Sequence, residues 1–96
     1  MEKNEKNVTN EEFMPYLVLK RLDCLIQQAK NGEEYYMFSG IMRQNDRSVI
    51  VPFYTKDKNL YNEILSIPPN KEFKLFYELY LDYKNNWKVK PIASGL

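Results

Sequence analysis

Two sets of side chains in this chain have the chemistry of recognition. The first is aromatic and basic: Tyr35 and Tyr54, then Arg43 and Arg47, then Trp87 with Lys88 and Lys90. Such rings stack on the faces of nucleic-acid bases at ~1–3 kcal/mol each, and the cations neutralise phosphates. A charge run is usually a solvated face, and the lysines taken alone read that way first. The second set is Met37, Ile41, Ile50, Phe76 and Tyr80. Aromatic and methionine side chains with an arginine at the rim mark protein interfaces. Bond-making chemistry is poorly provided for. With no histidine and a single cysteine, Cys24, a serine or cysteine nucleophile lacks an imidazole partner and the usual metal sets lack donors. A non-catalytic protein without metal or cofactor is expected.

The elements that must position these residues fit one domain. Ninety-six residues allow a single core at the small end of the domain range. Residues 1–12, MEKNEKNVTNEE, hold four Glu against two Lys and few apolar groups, the composition of a disordered acidic tail. Residues 13–96 form the folded domain. The net charge of +1 argues against a strongly basic, stand-alone nucleic-acid binder, although the chain after the tail is net basic. No run of eighteen apolar residues and no secretory signal pattern is present, and a free thiol suits a reducing compartment, so a cytoplasmic location is expected and no membrane contact.

Hydropathy periods give the order of elements. Residues 15–30 read either as a strand, with Val18, Leu22, Cys24 and Ile26 alternating, or as a helix closed by Gly32; the strand fits the following Asn31-Gly32 hairpin signal better. Residues 34–43 are rich in strand formers, with Gly40 at a bend or bulge. After the polar turn QNDR, SVIVPFYT is the clearest strand, and Pro52 confines it to an edge or bulge. KDKNLYNEILSIPP is one short helix, with Asp57 or Asn59 as N-cap, an apolar stripe of Leu60, Ile64, Leu65 and Ile67, and a double-proline stop.

KEFKLFYELYLDY, residues 71–83, also alternates. Phe73, Leu75, Tyr77, Leu79, Leu81 and Tyr83 share one face, with Leu75 and Leu79 expected inside. Phe76 and Tyr80 lie on the other face among Glu72, Lys74, Glu78 and Asp82, either covered by a loop or offered for recognition. YKNNW then breaks before a last strand holding Trp87, Val89 and Ile92. Alternation likewise turns Tyr36, Phe38, Gly40, Met42, Val49, Val51 and Phe53 inward. It turns Tyr35, Met37, Ser39, Ile41, Arg43, Ile50, Pro52 and Tyr54 outward, an apolar surface of the kind that marks a binding site. A register slip of one residue would exchange every assignment.

Three strands, a helix, then two strands is the order of the oligonucleotide/oligosaccharide-binding (OB) fold, which the chain resembles from about Tyr16 to Ala93. The fold class is thus mainly β, an OB-like five-stranded barrel with one short helix between strands 3 and 4. The resemblance implies single-stranded nucleic acid on the outer faces of strands 2 and 3. In length, Lys/Asn/Tyr/Ile-heavy composition and element order the chain is also similar to small proteins of Gram-positive mobile-element replication modules, among them the middle protein beside the polymerase of staphylococcal cassette chromosomes. That likeness implies a non-catalytic accessory subunit that binds a DNA polymerase or primase and assists priming, with direct contact to single-stranded DNA as a further expectation. The competing reading is a protein-interaction module or mobile-element inhibitor of a host protein without DNA contact.

Overall fold

A computed structural model describes residues 14–96; the acidic tail inferred for residues 1–12 lies outside the described residues. Five antiparallel strands form one sheet in the order β3-β2-β1-β4-β5. They are β1 (Tyr16–Gln28), β2 (Glu34–Gln44), β3 (Arg47–Thr55), β4 (Glu72–Leu81) and β5 (Trp87–Gly95), with one helix, α1 (Lys58–Leu65), between β3 and β4. The strand reading of residues 15–30 therefore holds. The two edge strands, β3 and β5, approach each other without forming a hydrogen-bonded ladder, so the sheet is unclosed. Pro52 lies on the β3 edge, where its missing N–H costs no ladder bond.

Turn chemistry sets the registers. Asn45 and Asp46 both have positive φ, 47° and 68°, between the paired Gln44 and Arg47, the two-residue geometry whose twist matches antiparallel strands. Gly32, at φ 89°, turns the β1–β2 hairpin, where the Asn31 side chain accepts a hydrogen bond from the Glu33 N–H. In α1, Asp57 is the N-cap: its Oδ1 accepts from the N–H groups of Asn59 and Leu60 at 3.0 and 3.2 Å.

The inward residues of the sheet meet the helix. Leu19, Phe38, Phe53, Phe73 and Leu75 pack against Leu60, Ile64 and Ile67, with Leu17, Cys24, Met42 and Val51 at the margin. Phe38 and Phe53 are cross-strand partners with ring centroids 5.4 Å apart, and Tyr36 stacks on Tyr61 of α1 at 4.9 Å. Leu65, placed on the apolar stripe from sequence, is exposed instead.

Strand β1 serves two neighbours. Tyr16–Lys20 pair with β4 and Lys20–Gln28 with β2, and the register shifts between Arg21 and Cys24. Ile26 keeps the face of Cys24 and Tyr36 and is exposed there, whereas Val18, expected with them, is exposed because this bulge reverses the alternation. It also buries Ser39, expected outward, whose hydroxyl accepts the Asp23 N–H at 3.2 Å. The bulge is on β1, opposite Ser39 and next to Gly40, where the close approach requires glycine: a Cβ at Gly40 would lie 2.8 Å from the Leu19 Cβ. Arg21 stands at the crossing. Its guanidinium donates to the Ile64, Leu65 and Leu22 carbonyls, satisfying the end of α1.

Beyond Tyr77, whose N–H reaches the Pro15 carbonyl, β5 is the only described partner of β4. The two strands continue as a ribbon that leaves the core behind. Leu79, expected inside with Leu75, is therefore 55% exposed while Leu75 is fully buried. Leu81 and Tyr83, expected on the same inner face, are exposed for the same reason.

Two substitutions separate core from ribbon. Leu75→Asp puts an unpaired carboxylate in the core and should unfold the domain, whereas Leu79→Asp should leave the melting temperature within a few degrees. Equal effects in thermal denaturation would contradict this division. Arg21→Ala should cost about 2 kcal/mol in denaturant unfolding, in the range for charge-assisted hydrogen bonds, and Arg21→Lys should recover little, because a point cation cannot span the same carbonyls.

Candidate functional site

The seam between the unpaired edges holds the main cleft. It has a volume of about 690 Å³ and is walled by Tyr35, Tyr54 and Lys56 on one side and by Glu78, Tyr80 and Lys90 on the other, with Val89 among them. A smaller hollow of about 400 Å³ continues it past Pro52, Tyr54 and Tyr80 to Lys88. Register explains the arrangement. Tyr54, next to the last residue of β3, lies beside Tyr35 near the start of β2, their centroids 6.1 Å apart and the rings tilted. On the ribbon Glu78 pairs with Lys90 and Tyr80 with Lys88, so alternation brings all four to one face.

Three rings and three cations thus converge on an open trough. Tyr35 is half-buried and its hydroxyl donates to Gln27 Oε1 at 3.1 Å, which fixes that ring, while Tyr54 and Tyr80 are exposed. Lys56 reaches Glu33 Oε1 at 3.2 Å, an exposed pair that leaves most of its charge to solvent. Rings free at their faces can stack on planar groups, and the ammonium groups can meet anions alongside them.

The residues inferred from sequence divide accordingly. Tyr35, Tyr54, Lys88 and Lys90 come together, and Tyr80, assigned to a protein partner, joins them. Arg43 and Ile41 do not. They line a second groove of about 610 Å³ at the other end of the sheet, with Tyr16, Val18, Lys20 and Glu72. Ile50, 66% exposed, pairs across strands with Ile41, and Met37 pairs with Tyr54, so these apolar residues bridge the two regions. Arg47 begins β3 beside the Asn45-Asp46 turn. Trp87 is exposed at the far end of the ribbon opposite Leu81, and Phe76 packs on Tyr16 at 5.6 Å.

Lys56 and Glu78 were missed as site residues. Glu78 was legible, since alternation already set it beside Tyr80; Lys56 sits in a connection whose destination depends on how the sheet curls. Among the described residues no group of three or more metal-ligating side chains is assembled, and no helix is long and apolar enough to cross a membrane. Burial pushes the Cys24 thiol up, Arg21 opposing and Asp23 adding, which disfavours the nucleophilic thiolate.

The ribbon turn is held by Asp82. Its Oδ1 accepts from the Asn86 and Lys84 N–H groups at 2.9 and 2.8 Å, and these bonds hold its carboxyl below the usual carboxylate range, Lys88 adding to the effect. A depressed folded-state value contributes stability above the ordinary carboxylate range and loses it as pH falls through the lowered value. Acidification below the lowered value, or Asp82→Ala at neutral pH, should reduce the protection factors of the Lys84 and Asn86 amides, each referred to the intrinsic exchange rate at that pH, while the Phe38 amide stays protected. Unchanged protection at both turn amides would remove this role from Asp82.

Comparison with protein-family models, with curated proteins and with solved structures finds no match to this chain.

Proposed function

We propose that this protein binds single-stranded nucleic acid in the seam cleft as a non-catalytic accessory subunit of a replication polymerase or primase. The observation that carries the reading is the convergence of Tyr35, Tyr54 and Tyr80 with Lys56, Lys88 and Lys90 in one open trough. Stacking is sequence-tolerant because every base has a π-face, and lysines along the same trough follow the phosphates. A duplex hides its base faces, so exposed rings favour a single strand.

The strand order, with β1 shared between β2 and β4 and a helix between β3 and β4, supports reading the sheet as an OB-like domain. Few cations line the trough and the net charge is only +1, so the grip is modest, as suits a subunit that lends contact to an enzyme. The polymerase or primase partner rests on the resemblance to mobile-element replication proteins, with Ile41, Ile50 and Met37 as the surface it would cover. A protein-interaction module without DNA contact is the second reading, favoured by the 66% exposure of Ile50 beside a groove holding Arg43.

Titration of a labelled oligothymidylate at two salt concentrations tests the first reading. Tyr54→Ala and Tyr80→Ala should each weaken binding roughly 5- to 150-fold, the span of a lost base stack, with melting temperatures nearly unchanged. Lys90→Ala should flatten the logarithmic salt dependence by about 0.7, one phosphate on a single strand. In a parallel titration with purified polymerase or primase, Ile50→Glu should weaken the protein complex and spare oligonucleotide binding. Oligonucleotide affinity indifferent to Tyr54, Tyr80 and Lys90 would overturn the cleft assignment; loss of protein binding alone would leave the second reading.

A further inference from the structure

The cleft contains one group that an unselective single-strand trough does not need. Glu78 lies on the cleft wall between Tyr80, two residues along β4, and Lys90, its cross-strand partner. A carboxylate there repels phosphate, so a bound strand must turn its phosphates toward Lys88, Lys90 and Lys56 and its bases toward the tyrosines and Glu78. Among the described residues Glu78 makes no ion pair within 4 Å; the ion pair found there is Lys56 with Glu33. Its oxygens are therefore available to a ligand.

We propose that Glu78 selects guanine, a reading that rests on the cleft being a single-strand site. A carboxylate offers two acceptors and no donor. Of the four bases, guanine alone presents two donors side by side on its Watson–Crick edge, the ring N1–H and the exocyclic amine, matching both oxygens at once. Adenine and cytosine pair their amine with a ring-nitrogen acceptor, and thymine flanks its single N–H with carbonyls. Each of those opposes a lone pair to one carboxylate oxygen.

Strand geometry makes the edge reachable. Residues two apart in a strand are about 6.7 Å apart, roughly twice the 3.4 Å rise per nucleotide in a helical strand. A nucleic-acid strand with one base stacked on Tyr80 and the next at Glu78 is drawn out to that spacing. Its bases are separated and their edges exposed to side chains, as single-strand readers require.

The test uses the whole chain and short DNA: a six-residue oligothymidylate, and the same strand with one central base changed to guanine, adenine or cytosine. The wild type should bind the guanine strand most tightly. Glu78→Gln, at an exposed ribbon position, replaces one acceptor by a donor. It should weaken the guanine strand roughly 5- to 150-fold, the discrimination of one bidentate base contact, while the other three hold or tighten. A change of the same factor for all four strands, or none, overturns guanine selection and makes Glu78 a general repulsive charge or a bystander. Tyr54→Ala separates the two levels of failure. If it weakens all four strands while Glu78→Gln discriminates none, the single-strand reading stands and the guanine reading falls; if no strand binds the wild type, both fall.

Discussion

The fold depends on the crossing at Arg21. Here β1 passes from one partner strand to the other, and three elements are fastened to a single residue. Its backbone N–H donates to the Lys71 carbonyl at 3.0 Å and its carbonyl accepts from Asn70 at 2.8 Å, which holds the start of β4. Its guanidinium reaches the last carbonyls of α1, where a cation also complements the helix dipole. The sheet needs the β1 bulge to serve β2 and β4 from one strand, and the bulge leaves a helix end and a strand start to be fastened nearby. One residue does both, the helix end through its forked side chain and the strand start through its backbone.

Consequences run outward from that point. With β1 fixed, Leu19 seats against Gly40, Phe38 faces Phe53, and α1 is held over the inner face by Leu60 and Ile64. The two edges are then left near each other but unpaired, and the space between them is the cleft. The recognition chemistry thus occupies the place where the sheet fails to close. Tyr35 and Tyr54 stand on strands paired within the five-stranded sheet, whereas Tyr80 and Lys90 stand on a two-stranded ribbon beyond the last β1–β4 pair.

Much of this was written in local patterns. Strand β2 alternates without interruption, so the inward Tyr36, Phe38 and Met42 and the outward Tyr35 and Arg43 follow from period alone. The Asn45-Asp46 turn and the Asp57 cap have residue signatures with a direct mechanism. What alternation could not carry was any change of neighbour. The bulge after Arg21 reversed Val18, and Ile26 and Leu79 kept their faces but stand where those faces are uncovered, because a period of two says which residues share a face and nothing about whether that face is covered. The site was half legible for the same reason. Its rings and lysines have the right types, but the separation of Tyr54 from Arg43 depends on which ends of the sheet converge.

The ribbon that projects past the core gives the protein an evolvable part. From Glu78 to Lys90 the chain makes little contribution to the buried cluster, so insertions, deletions or exchanged side chains there escape the stability threshold that constrains Leu75 or Phe38. Adding a residue pair to each arm would deepen one wall of the trough while leaving the other wall and the helix in place. A lineage carrying this fold can therefore change what it recognises by editing one hairpin, and the tolerance arises because that hairpin belongs to the sheet by only one edge.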